Sequence, residues 1–182
     1  MNKNIIPFVK LIGRLKKVQR TGWLIKVGVK DPESVADHSF MTSILCMLVG
    51  DLRNLNTLKM LKMALLHDAC ESLIGDFMHS DIRKKELNKR KLEDDAMIQI
   101  LSTLPNDIGK IYRKLWKEFQ GGLSTEAKLV REIDKLEMAL QVLEYEKEGY
   151  DRRRLYEFWD SARQAIIDPE LRAIFKVIEE QR

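Results

Sequence analysis

The feature that most constrains this fold is the helical period of its apolar residues, which continues through most of the 182-residue chain. Apolar side chains recur three and four positions apart, as they do along one face of an α-helix. The nine glycines and four prolines are too few to favour a turn-rich all-β protein. We therefore predict an all-α fold, a single helical bundle over residues 1–182 with short connections.

Local start and stop signals divide this pattern into helices. A first helix is expected over about residues 5–18. The Gly- and Pro-containing stretch 20–33 is the one plausible extended or irregular connection. Ser34 and Asp37 match a capping box that begins a second helix, and a third is expected to run unbroken over residues 57–75. Further helices are predicted over about residues 85–104, 108–120 and 124–149, followed by two C-terminal helices, the last beginning at Asp168-Pro169.

Composition narrows the class of partner. The net charge is +4, but acids and bases alternate along the chain, so we predict no nucleic-acid polymer as a partner. No stretch approaches the roughly 20 apolar residues of a membrane span, so no membrane is predicted either. The N-terminal residues lack the features of a signal peptide. Cys46 and Cys70 lie in apolar helical patterns, which fits a reducing cytoplasm.

Ionisable side chains inside apolar stripes are the functional signal of this sequence. His38 lies at the start of the second helix, and the pair His67–Asp68 lies in the leucine-rich third helix. Asp134 interrupts the apolar stripe of the long helix near the C-terminal third of the chain. Burying such groups costs free energy unless they are paired, hydrogen-bonded or bound to a cation.

One divalent metal ion would satisfy all four groups. Two imidazoles and two carboxylates suit Mn, Fe, Co, Ni or Zn better than Ca or Mg alone, and they leave positions for water and substrate. His79 matches no ligand position, and we predict that it does not bind the ion. In the alternative interpretation these side chains are ordinary buried polar groups, and the chain is a helical interaction module.

Four motifs carry a resemblance to a known family: RTGW at residues 20–23, PESVADHSF at 32–40, KMALLHDACESLIGD at 62–76, and EAKLVREIDKLEMALQVLEYE at 126–146. Together they resemble the HD-domain phosphohydrolases, in particular the 5′-deoxynucleotidase subgroup, which includes the YfbR type. The resemblance covers a motif-bearing core of about residues 8–150, and the C-terminal helices, about 151–182, add no motif.

The resemblance implies an HD-type helical bundle that binds one metal ion and hydrolyses (deoxy)nucleoside 5′-monophosphates to nucleoside and phosphate. It also implies a homodimer. In the bacterial type the Arg and Trp of the first motif are adjacent, whereas Thr21 and Gly22 separate them here. By position, the resemblance implies metal ligands at His38, His67, Asp68 and Asp134, catalytic acidic residues at Glu71 and Asp76, and substrate-binding residues at Arg20 and Trp23.

The chemistry of the same residues supports these roles. Glu71 lies four positions after His67 on one helix face, where a carboxylate can orient or deprotonate water beside the ion. Asp76 follows the break at Gly75 and is a candidate proton donor to the leaving oxygen. Arg20 offers a planar fork for phosphate oxygens, or else is a solvated loop residue. An indole such as Trp23 can stack on the nucleoside, or else anchors the irregular segment in the core.

Two questions stay open from sequence alone. With three histidines the chain lacks the additional ligands that two-metal HD-type diesterases need, so a one-metal phosphomonoesterase is favoured. A non-catalytic regulator that binds metal and nucleotide, or an HD phosphohydrolase acting on another phosphate ester, is the alternative. The basic side chains Lys84, Lys85 and Lys89 either attract phosphate or form a solvated helix face.

Overall fold

A computed structural model describes residues 5–77 and 86–182, apart from the side chains of residues 86–88. These residues form a helical bundle, which confirms the all-α prediction, and the only strand-type pairing among them is a single bridge between Gln19 and Ser34. The α-helices are α1 (Ile6–Ile12), α2 (Val35–Leu52), α3 (Thr57–Leu66), α4 (Glu71–Ile74), α5 (Glu86–Leu101), α6 (Asn106–Gly121), α7 (Thr125–Lys147), α8 (Arg152–Ala165) and α9 (Pro169–Glu179).

The long helix α7 lies at the centre of the bundle. Its N-cap is Ser124, whose side chain accepts a hydrogen bond from the Ala127 amide. It packs against α2, α3, α6, α8 and α9, and it buries residues such as Ile133, Leu136 and Val142 almost completely. Any polar side chain on the buried faces of α7 therefore needs a hydrogen-bond partner from another part of the chain.

Helix α2 is apolar on more than its buried face. It begins with the predicted capping box, in which Ser34 and Asp37 each bond to the other's backbone amide. By length and composition α2 is long and apolar enough to cross a membrane, although 44% of it is buried inside the bundle. One face packs on α3 and α7, while Phe40, Leu48 and Leu52 remain exposed on the other.

The N-terminal region is more helical than its sequence predicted. The first helix ends at Ile12 and continues as a 3₁₀ helix, Gly13–Lys17. The stretch expected to be extended or irregular instead contains a π-helical turn, Trp23–Val27. The amides of Gly28 and Val29 both donate to the carbonyl of Trp23, at 3.0 and 3.1 Å, and Gly28 ends the turn with a φ of +86°.

The prediction of one unbroken third helix over residues 57–75 was wrong. Helix α3 ends at Leu66, and α4 begins only at Glu71. Between them the backbone tightens into i→i+3 turns, in which the Glu71 amide bonds to the Asp68 carbonyl at 3.0 Å. The His67 carbonyl, freed from its helical partner, accepts a hydrogen bond from Trp116 Nε1 at 3.3 Å. The break turns the HD pair towards α7 while its apolar neighbours stay buried.

The remaining helix boundaries follow their sequence signals. Gly122 ends α6 in the left-handed conformation with a φ of +57°. Asp168 is the N-cap of α9 and accepts hydrogen bonds from the amides of Glu170 and Leu171, with Pro169 at the first helical position.

Candidate metal centre

Three separate segments bring the four predicted ligands together. His38 comes from the first turn of α2, His67 and Asp68 from the break after α3, and Asp134 from the middle of α7. His38 Nε2 lies 3.0 Å from Asp134 Oδ1 and 3.3 Å from His67 Nε2, while His67 Nε2 lies 3.0 Å from Asp68 Oδ2. Both imidazoles are buried, and both carboxylates are partly buried.

Hydrogen bonds to the other ring nitrogens orient both histidines. His67 Nδ1 donates to the Ala64 carbonyl at 2.6 Å. His38 Nδ1 donates to Oε2 of Glu137, a side chain that is 3% exposed on α7. With both Nδ1 atoms occupied as donors, both Nε2 atoms are left to face the site.

The charges of the site reinforce one another. Burial raises the pKa of Asp68, but His67, His38 and Arg20 outweigh burial and hold it well below its usual range. Burial also raises the pKa of Asp134, but Lys135 and His38 outweigh burial and hold this pKa well below its usual range. For His38, burial and Arg20 lower the pKa, yet hydrogen bonds to Asp134 and Glu137 raise it to about 9. Two charged carboxylates therefore face two imidazoles.

The donor set fits a divalent ion. His38, His67 and Asp134 place one ligand atom each within 4.8 Å of one another, and Asp68 Oδ2 contacts the same two imidazole nitrogens. The two imidazole Nε2 atoms lie 3.3 Å apart, and in the neutral form that binds a metal each directs a lone pair into the site. A cation there would replace the second proton that the raised pKa of His38 favours, and two carboxylates would balance its charge.

Glu71 borders this site with a buried carboxylate. Its Oε2 is buried and makes no hydrogen bond within the described part of the chain. Burial, followed by the negative charges of Asp68 and Asp76, raises the pKa of Glu71 to about 10. Because buried polar atoms are normally satisfied, this atom is suited to meet water or substrate.

Arg20 and Asp76 meet beside the same group. Arg20 Nη1 lies 3.5 Å from Asp68 Oδ2. Burial lowers the pKa of Arg20, but Asp68, Glu33 and Asp76 outweigh burial and raise it, so the guanidinium stays charged. Asp76 Oδ2 accepts the Thr21 amide at 2.6 Å, and the Asp76 carbonyl accepts the Thr21 hydroxyl at 2.7 Å. Asp76 thus holds the segment that carries Arg20.

Trp23 is mainly a packing residue. It is 1% exposed, and its Nε1 donates to Glu33 Oε1 at 2.9 Å. Its ring packs on Phe158 with centroids 4.2 Å apart and meets the edge of Tyr145 at 5.3 Å. Only a small part of the indole borders a cavity. This burial fits a residue that anchors the segment in the core better than one that stacks openly on a nucleoside.

Two cavities meet at the carboxylates of this candidate site. The Arg20 cavity, of about 360 Å³, is bordered by Arg20, Trp23, Asp76 and residues of α8. The Arg131 cavity, of about 490 Å³, is bordered by Phe119, Gln120, Lys128 and Arg131. Both cavities also contact Asp68, Glu71 and Asp134. A molecule bound at the centre can therefore extend in either of two directions.

Some residues at this site were not predicted from the sequence, and some predicted residues lie outside the described part of the chain. Glu137 was overlooked, although it interrupts the apolar residues of α7 just as Asp134 does. Phe158 and Ser161 on α8 carried no sequence signal for a site. Lys89 borders the Arg20 cavity. His79, Lys84 and Lys85 lie outside the described residues.

Comparison with known proteins identifies the family. The family model described as HD domain matches residues 12–174. The chain belongs to the HD-domain family. This match extends past the motif-bearing core and includes α8. The protein named 5′-deoxynucleotidase HDDC2 from Homo sapiens is 37% identical over 180 residues, which cover 99% of this chain and 87% of that protein.

Two further proteins are similar to this chain, one in sequence and one in both sequence and fold. The protein named 5′-deoxynucleotidase hdd1 from Schizosaccharomyces pombe is 38% identical over 160 residues, covering 85% of this chain and 79% of that protein. The crystal structure of the PH0347 protein from Pyrococcus horikoshii matches with a TM-score of 0.78 and 34% identity. That match covers 97% of this chain and 99% of the other.

Proposed function

We propose that this HD-domain protein is a metal-dependent 5′-deoxynucleotidase, which hydrolyses (deoxy)nucleoside 5′-monophosphates to nucleoside and phosphate. The observation that carries the proposal is the meeting of three features at one cavity: a divalent-ion donor set, the unpartnered Glu71 Oε2, and the charged Arg20. The relatives named 5′-deoxynucleotidase match almost the whole chain, which supports the same reaction.

Substrate binding follows from the charges at this cavity. Arg20 offers parallel N–H groups to phosphate oxygens and stabilises negative charge as it develops. His38, His67, Asp68 and Asp134 would hold the ion, which when bound supplies Lewis acidity to water and phosphate. Asp76 keeps Arg20 in place through its two bonds to Thr21.

Glu71 is the proton carrier of the proposed mechanism. In its ionised form, which the charge of a bound cation would favour, its Oε2 takes a proton from the attacking water as the oxygen–phosphorus bond forms. The bond from phosphorus to the 5′ oxygen breaks, and that oxygen receives a proton to become the nucleoside hydroxyl. We assign the return of this proton to Glu71 rather than Asp76, because Asp76 Oδ2 already accepts the Thr21 amide at 2.6 Å.

The metal, the oligomeric state and the location form part of the same proposal. Mixed nitrogen and oxygen ligation suits a transition-metal ion better than Mg²⁺, which binds imidazole weakly, and we propose Mn²⁺ or Co²⁺. The exposed apolar face of α2, with Phe40, Leu48 and Leu52, supports a homodimer in which two copies of this face pack together. Two buried, unpaired cysteines support a cytoplasmic location.

Phosphate release tests the proposal directly. The protein, loaded in turn with Mn²⁺, Co²⁺ and Mg²⁺, is assayed against ribo- and deoxynucleoside mono- and triphosphates. We expect release from deoxynucleoside monophosphates and little from triphosphates. If none of the ions supports release from any nucleotide, the proposal fails. Release from non-nucleotide esters alone would indicate a phosphohydrolase of another specificity.

A further inference from the structure

Helix α8 contributes one wall of the Arg20 cavity. Glu157, Phe158 and Ser161 border it, although they lie outside all four sequence motifs. The same cavity reaches Asp68 and Glu71. A substrate whose phosphate lies between Arg20 and the candidate metal centre would therefore extend along this cavity towards α8.

Gly22 allows α8 to approach the Arg20 segment closely. A Cβ at this position would lie 3.2 Å from the Phe158 ring, which is tighter than ordinary contact. The ring then packs on Trp23 with centroids 4.2 Å apart and an interplanar angle of 32°. The two residues that separate Arg20 from Trp23 thus have distinct contacts, because Thr21 bonds to Asp76 and Gly22 makes room for Phe158.

Polar groups surround this aromatic wall. Lys26 Nζ lies 2.8 Å from Glu157 Oε2 and 5.6 Å from the centroid of Phe158. Ser161 is exposed on the same helix, one turn after Glu157. An aromatic side chain beside a hydroxyl and a charged pair suits a flat heteroaromatic group that has donors and acceptors on its edge.

We propose that Phe158, Ser161 and the Lys26–Glu157 pair form the nucleobase subsite of this protein. The inference rests on the proposed function, since it takes the phosphate to bind beside Arg20. The competing direction is the Arg131 cavity. The Arg20 cavity is favoured because it alone of the two combines the phosphate-binding arginine with a packed aromatic pair.

Binding of the two reaction products separates the base end from the phosphate end. Calorimetric titrations of the Mn²⁺-loaded protein use 2′-deoxyadenosine and inorganic phosphate as ligands. Phe158→Ala should weaken deoxyadenosine binding about tenfold, as loss of a stacked aromatic does, and leave phosphate binding unchanged. Phe158→Leu keeps an apolar side chain against Gly22 and Trp23, so it should remain folded and show the same selective loss.

Matched variants decide between the possible outcomes. Tyr156→Ala removes an exposed aromatic side chain from the same helix and should alter neither titration. Ser161→Ala should change the order of KM values among the four deoxynucleotides. Equal weakening of both products by Phe158→Leu would overturn the subsite, as would loss of nucleoside binding in Phe119→Leu alone. Wild-type turnover is measured separately, and an inactive wild type rejects the proposed function. If the wild type is active and Phe158→Ala binds deoxyadenosine with wild-type affinity, only the subsite is rejected.

Discussion

His38 and Glu137 are hydrogen-bonded to each other although 99 residues separate them in the sequence. The bond connects the first turn of α2 to α7, and both side chains are almost fully buried. It commits His38 Nδ1 as a donor, so that Nε2 faces the three other metal-ligand candidates. A carboxylate in this position fixes the ring orientation and increases its basicity towards a metal.

Replacing Glu137 should therefore weaken ion binding. We expect Glu137→Gln to lower the affinity for Mn²⁺ about tenfold to a hundredfold, measured by calorimetry. Glu146→Gln is the matched control, because Glu146 is also buried on α7 but accepts its hydrogen bonds from Trp159 and Arg182. The control should lower the melting temperature without altering ion affinity. Equal ion affinities in wild type and Glu137→Gln would contradict the orienting role.

The ion itself should stabilise the fold through the four donors. At a free concentration 100 times its Kd, a ligand adds about 2.7 kcal/mol to the free energy of unfolding. For a chain of this size, that raises the melting temperature by roughly 5–11 °C. Asp134→Asn should lose most of this rise, and a chelator should remove it from the wild type. A wild-type melting temperature that ignores both Mn²⁺ and chelator would show that the four residues are a structural cluster.

Glu71→Gln should raise the stability of the protein and abolish its turnover. The folded-state pKa of Glu71 is raised to about 10 from 4.5, so between these values the folded protein holds a proton that the unfolded chain releases, and this lowers the free energy of unfolding progressively as pH rises. In chelator at about pH 8, the neutral glutamine should raise the melting temperature by roughly 2–4 °C, for a gain of about 1 kcal/mol.

That stabilisation should shrink as the pH falls to 4.5 and vanish below it, where the wild-type carboxyl is itself protonated in both states. Phosphate release should be lost, whereas Mn²⁺ affinity is retained. A Glu71→Gln protein that turns over at the wild-type rate would exclude Glu71 as the proton carrier. A stability difference that does not change with pH would show that its burial is not the cause.

Asp76 and Thr21 should act on substrate binding through Arg20. Asp76→Ala removes the acceptor of the Thr21 amide and should lower kcat/KM about tenfold to a hundredfold, mainly by raising KM. Thr21→Val, which loses only the hydroxyl donor, should change KM in the same direction by less. The pH profile of kcat provides the second readout. If kcat falls with KM unchanged and the basic limb of that profile disappears, Asp76 donates a proton instead.

The exposed face of α2 should hold two copies together. Leu48 is 50% exposed, and a charge there would be buried in the proposed interface, so Leu48→Glu should yield a monomer in light scattering. Val177→Glu, at a 56% exposed position on α9, is the control and should leave the mass unchanged. A wild type that is monomeric at all concentrations would reject the homodimer.

The four metal-ligand candidates could be found from sequence because each is an ionisable residue in an apolar helical stripe. Glu137 satisfies the same criterion, three positions after Asp134, and only its lack of a motif role caused it to be missed. The break between α3 and α4 was hidden, since Leu66, Ala69 and Cys70 are all buried and continue the apolar period across it.

The α8 wall could not be predicted because it depends on tertiary packing. Nothing in the local sequence of Phe158 indicates that its ring lies against Gly22, more than 130 residues earlier. The π-helical turn at Trp23–Val27 has a similar origin, since β-branched residues there suggested extended backbone. The burial of Trp23 between Phe158 and Tyr145 is compatible with the turn.

The spacing of the ion-binding donors along the chain has a consequence for folding entropy. His38 and His67 are 29 residues apart, and Asp134 lies far beyond both. An ion that binds all of them holds two long loops closed in the folded protein. A chain that folds without the ion must align α2 with α7 by side-chain packing and by hydrogen bonds such as that between His38 and Glu137. Because the ion binds the folded chain and not the unfolded one, we infer that its binding free energy offsets part of the entropy lost when these loops close.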